Sequence, residues 1–127
     1  MKGKALLSAL VFTVASTLFV MTAHASNDAI KTMAQILSHV NHFPSAAEKE
    51  TLNGIANDAN NSAHIRAIAT AMANMQHSVN SSDKAKLKDV LSDGAADQHT
   101  KDMATILINF SHTPSDEDVS KLHAMMK

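Results

Sequence analysis

His42, His77 and His112 stand 35 residues apart, and imidazole is the side chain in this sequence best suited to hold a metal or carry a proton. Each lies in similar surroundings: HVNHFPS (39–45), NMQHSVN (74–80) and NFSHTPS (109–115). The first copy adds His39 three residues before His42, a spacing that puts two rings on one face of a helix. His39, His42, His77 and His112 are therefore the metal-ligand candidates, and neutral imidazole suits Zn, Cu or Ni. Packed helices lie roughly 8–10 Å apart, however, and rings on successive copies must converge to share an ion about 2 Å from each nitrogen. A plainer account places each histidine in the last turn of a helix, where free carbonyls and the negative dipole end favour an imidazole donor. Its ring then bonds the following turn, and no cofactor is needed.

The elements that must position these residues come from an internal repeat. Sliding the chain by 35 lays KTMAQILSHVNHFPSAAEKETL (31–52) over residues 66–87 and 101–122. Ala34, Ala69 and Ala104 coincide, as do Leu52, Leu87 and Leu122, together with the three histidines. A period of this length marks helical-hairpin arrays, in which three units are about the minimum for a continuous core. Asn27, Ser62 and Asp97 are N-cap residues opening a first helix, A; Ser45, Asn80 and Ser115 open a second, B. Glu48, Asp83 and Asp118 follow three residues later, so Ser45 and Glu48 make a capping box and the two Asp versions weaker forms of it. Pro44 and Pro114 precede two of the B caps, where a helix does not easily run through.

The repeats therefore run 27–61, 62–96 and 97–127, and the fold class is all-α: three tandem helix-turn-helix repeats, six short helices. Ile30, Met33, Ala34, Leu37 and Val40 trace one buried face of helix A, repeated by Ile65, Ile68, Ala69, Met72 and Met75 and by Met103, Ala104, Leu107 and Phe110. Helix B contributes Leu52, Ile55 and Ala56, Leu87, Val90 and Leu91, and Leu122, Met125 and Met126. The methionines read as core filler. In repeat length and hairpin layout the chain resembles a short tetratricopeptide-type solenoid. It has no Trp or Tyr and no Leu-Gly pair at the start of a helix A, so the family's signature is absent and no functional residues carry over.

With Leu37 at the centre of the buried face, a helical wheel puts Lys31 about 120°, Gln35 about 160°, His39 about 200° and His42 about 140° away. These four form an outward polar stripe. Its copies are Arg66, Thr70, Asn74 and His77, and Lys101, Thr105, Asn109 and His112. Stacked in line, the copies make a ladder of cationic, amide and imidazole groups suited to an acidic or extended peptide. His64 and His99 fall in the first turn of helix A and read as surface residues.

Residues 1–25 carry the pattern of a Sec signal peptide: Lys2 and Lys4, an apolar run, then Ala23 and Ala25 as a cleavage site. Cleavage after Ala25 leaves one domain, 26–127, exported to a bacterial periplasm or secreted, with no stable membrane insertion. Loss of Lys2 and Lys4 takes the formal net charge from −1 to −3, which excludes nucleic acid as the main partner. With no cysteine, neither disulfides nor thiolate chemistry operate. Enzymatic motifs are missing: no nucleophile elbow, no HExxH pair and no phosphate-binding glycine loop, so the chain is not expected to be an enzyme. The leading expectation is an exported interaction module that takes a periplasmic protein or peptide on the stripe. Histidine-based metal binding or buffering is the alternative. A third is structural: homodimerisation on the last repeat, where Met125 and Met126 would leave an apolar edge.

Overall fold

The computed structural model describes residues 25–127, and these are helical throughout apart from the connecting turns. Helix α1 occupies 25–39; α2 is Ala46–Asn57, α3 Ala63–Asn74, α4 Ser81–Ser92, α5 Gln98–Asn109 and α6 Asp116–Met125. Three hairpins in tandem are what the 35-residue period predicts. The leader expectation falls on residues 1–24, outside the described residues, apart from its last position, Ala25. No helix among the described residues is long and apolar enough to cross a membrane.

Helix starts follow the chemistry of the caps. Ser45, Ser62, Asn80, Asp97 and Ser115 all have extended backbones, and each side chain accepts the N–H three residues on. Ser45 and Glu48 close the full reciprocal box. Asn27 departs from the expectation: the helix is already formed at residue 25, so Asn27 lies within it instead of capping it. Alanine and serine before it let the helical pattern extend in the N-terminal direction, and a cap residue cannot act inside a continuing helix.

The A helices (α1, α3, α5) form the inside of the molecule, the B helices (α2, α4, α6) the outside. The expected face of helix A is buried, with Met33, Ala34, Leu37, Ile68, Ala69, Met72, Met103, Ala104 and Leu107 fully enclosed. A second column, Ile36, Ala71 and Ile106, is buried as well. Helix A is therefore packed on a wider arc than one amphipathic stripe provides. The B helices bury much less: Leu52 in α2, Leu87, Val90 and Asp83 in α4, Leu122 and Met125 in α6. Each fully enclosed Leu or Ile stabilises the fold by about 1.5–3 kcal/mol, so most of the stability resides in the inner helices.

The array closes on itself. Helix α2 packs on α3 and α4 on α5, each B helix reaching the A helix of the next repeat, and α3 also meets α5. Met125 and Ala124 of α6 share a groove with Asn27, Ile30 and Lys31 of α1, which brings the last copy against the first. At the N-terminal end of the inner bundle, Ile30, Ile65 and Thr100, equivalent residues of the three repeats, line one cavity of about 380 Å³. At the opposite end the three histidine turns meet. The repeats are thus related by rotation about an axis running along the A helices, whereas an open solenoid would leave the first and third apart. Met125 is buried and Met126 half-buried against the core, so the apolar edge expected at the last repeat is mostly covered by closure.

Candidate metal centre

Helices A stop at residue 39, at Asn74 and at Asn109, three residues short of each histidine. Met75 and Phe110 are the extended C-caps of α3 and α5, and with Val40 they bury their side chains in the core. The chain then turns sharply. His42, His77 and His112 adopt φ of 73°, 63° and 65°, and among the described residues they are the only non-glycine residues with positive φ. In two of the turns a hydrogen bond spans the histidine: Ser78 N–H to the Gln76 carbonyl at 2.6 Å and Thr113 N–H to the Ser111 carbonyl at 2.7 Å. A bond from residue i+2 back to i around a positive-φ residue marks a tight γ-turn of the strained kind. The expected placement in the last helical turn is therefore corrected, and the wheel angle assigned to His42 does not apply, because the helix has already ended.

The three turns are tied into a ring by their backbones. His42 N–H donates to the His112 carbonyl at 2.6 Å, His77 N–H to the His42 carbonyl at 2.7 Å, and His112 N–H to the His77 carbonyl at 2.7 Å. Each histidine thus gives one bond to a neighbouring repeat and receives one from the other. The side chains follow: ring centroids lie 4.9, 5.0 and 5.1 Å apart in edge-to-face orientations. His77 Nδ1 and His112 Nδ1 are 3.2 Å apart, one donating to the other. Asn41 Oδ1 accepts from His42 Nδ1. Helix-spacing arithmetic argued against such a meeting, but it applies to positions on the helix flanks. Near a rotation axis, equivalent positions converge.

The donor set fits a transition-metal ion. One nitrogen from each ring lies within 4.8 Å of the other two, and no other cluster of three or more His, Cys, Asp or Glu with this geometry occurs among the described residues. Two nitrogens bound tetrahedrally at 2.0–2.1 Å sit about 3.3 Å apart, close to the His77–His112 separation of 3.2 Å, so an ion that displaces the proton between them needs little movement of either ring. The third ring's nitrogen lies within 4.8 Å of both. Asn41, Gln76 and Ser111 precede the three histidines, and the Asn41 contact is of the kind that fixes a ligand's tautomer.

The remaining candidates lie elsewhere. His39 is set on Glu48, Nε2 to Oε2 at 3.0 Å, and takes no part in the cluster. Asn74 Nδ2 donates to Asp83 Oδ2 at 3.5 Å in the equivalent place. Both polar residues therefore reach the acid in the first turn of their own B helix, a link nine residues long that spacing alone did not reveal. Partial burial pushes the Glu48 carboxyl up, but the Ser45 N–H and hydroxyl and then His39 outweigh it and hold the carboxyl below its ordinary value. Arg66 Nε donates to the Ala56 carbonyl at 3.0 Å. Gln35 and His39 line one groove, Arg66 and Thr70 a second, and Lys31 a third. Thr105 and Asn109 are exposed on α5 and Lys101 is half-buried. Rotation disperses these outer positions around the axis instead of aligning them. His64, expected at the surface, is half-buried and pairs with Asp93 at 2.8 Å.

Comparison of the chain with protein-family models, with curated proteins and with solved structures finds no match.

Proposed function

We propose that this protein binds one transition-metal ion, of the Zn, Cu or Ni class, through His42, His77 and His112. The observation that carries this reading is the choice of residue at three strained turns. Positive φ is a glycine conformation; histidine enters it more readily than most side chains, yet still at a cost of about 1 kcal/mol per residue. Each main-chain bond of the ring returns about 1 kcal/mol net, so strain and hydrogen bonding roughly cancel. Glycine would keep the hydrogen bonds without that strain. Histidine is nevertheless present in all three copies, and its rings face one another. Strain repeated at a convergent set of ligands points to function. Three neutral nitrogen donors also match the preferences of these ions.

The interaction-module reading rests on a continuous ladder of Lys31, Arg66 and Lys101 with the amides between them. Rotation places those residues on separate outer surfaces, and it gives that reading less support than it gives the metal site.

The test is a titration of metal-stripped protein with Zn, Cu and Ni ions, followed through the imidazole resonances. The expected result is one ion per chain, with the His42, His77 and His112 signals moving together and His39 unmoved. Undiminished binding by an H77N/H112N variant, in which asparagine tolerates the turn, would overturn the proposal.

A further inference from the structure

We infer that an ion held by the three histidines keeps an exchangeable coordination position, and that this position takes a small monoanion from solvent in place of water. This rests on the metal reading above and goes further, because it names the ligand class the loaded site would accept. The cluster brings together three imidazoles, and among the described residues no fourth His, Cys, Asp or Glu joins it. Three-histidine sites of Zn complete their shell with a solvent-derived ligand, whereas purely structural sites use four protein donors. The cluster is also open to solvent. His77 and His112 are exposed and His42 is half-buried.

Charge selects the ligand. Three neutral imidazoles leave a divalent ion's charge uncompensated. No carboxylate occurs within the segments 39–45, 74–80 and 109–115 that build the turns. The residues beside the histidines, Asn41, Gln76 and Ser111, are exposed and uncharged, so the immediate neighbours carry amide and hydroxyl donors and no anion to repel an incoming one. A monoanion in the remaining position lowers the net charge, and hydrogen bonds from these side chains are available to it.

The experiment is to load the metal-stripped protein with Co(II), whose visible absorption reports coordination number and ligand exchange, and to titrate azide into it while following the imidazole resonances. The expected result is a saturable change in the visible bands, one azide per cobalt, with the histidines still bound. Cobalt bound by the three histidines with a spectrum indifferent to saturating azide would overturn the inference and leave the metal reading intact. Failure to bind cobalt, Zn, Cu or Ni would overturn both.

Discussion

His42 of the first repeat donates its main-chain N–H to the carbonyl of His112 in the third, at 2.6 Å. That bond joins two copies that sequence order separates by a whole repeat. It turns a row of hairpins into a ring, and it places at the closure point the same residues that offer metal ligands.

Closure and ligation should be separable at His77. An H77G variant keeps the backbone turn and relieves its positive-φ strain, so the metal-free protein should be no less stable than wild type, and by up to about 1 kcal/mol more stable. Metal affinity should fall at least about tenfold, the scale on which even supporting groups of metal sites act. Calorimetric titration and thermal melts of the same variant check both halves.

Because the ligands come from all three repeats, an ion should stabilise the whole ring. At a free-ion concentration a hundred times the dissociation constant, linkage gives about 2.7 kcal/mol. For a domain of this size that corresponds to a rise in melting temperature of about 10 °C or more. Melts with and without added ion, then with chelator, measure it; an unchanged melting point would count against binding to the folded state.

Ala69 is fully enclosed on α3, and its equivalents Ala34 and Ala104 are enclosed as well. Enlarging it by A69L should overpack the inner bundle and destabilise it by about 1–3 kcal/mol. Urea denaturation checks the cost. Splaying the A helices also moves the histidine turns apart, so metal affinity should weaken although the substitution is remote from the ligands.

The capping box of α2 gives a pH dependence of known sign. The folded Glu48 carboxyl titrates below its ordinary value, so its contribution is complete above the unfolded pKa of about 4.3 and is lost as pH falls through the lowered folded value. Glu48→Gln should flatten this acid-limb slope, and His39→Ala should flatten it less, since the Ser45 contacts remain. The effect is small because His39 is largely solvent-exposed. Denaturant titrations across the acid range read the slopes.

The sequence made the hairpins legible because their signals are local. Ser45, Asn80 and Ser115 cap by contacts three residues away, and the apolar spacing of Met33, Ala34 and Leu37 marks a buried face without reference to other copies. The site depends on two things that local signals do not carry. One is the φ of His42, His77 and His112, at a position where glycine would have announced a left-handed turn plainly and histidine signals it only weakly. The other is the sense in which copies are arranged: a 35-residue period is equally compatible with a line and with a circle. The buried column of Ile36, Ala71 and Ile106 was the available hint, since a helix apolar beyond one stripe has neighbours on more than one side. His39 misled for a related reason. Its i, i+3 relation to His42 presumed one continuous helix.

A closed ring also counts its members. In an open array a fourth copy extends the stack at one end, but here the partners of each histidine turn are already assigned, and an added hairpin would have to break the circuit between His112 and His42. The arrangement is that of a trimer written on a single polypeptide, with the three repeats alike in the positive φ of their histidine turns and free to differ elsewhere. Phe43, Ser78 and Thr113, occupying one position in three copies, show that freedom in use: linking the subunits lets one corner of the triangle specialise while the axis they share stays intact.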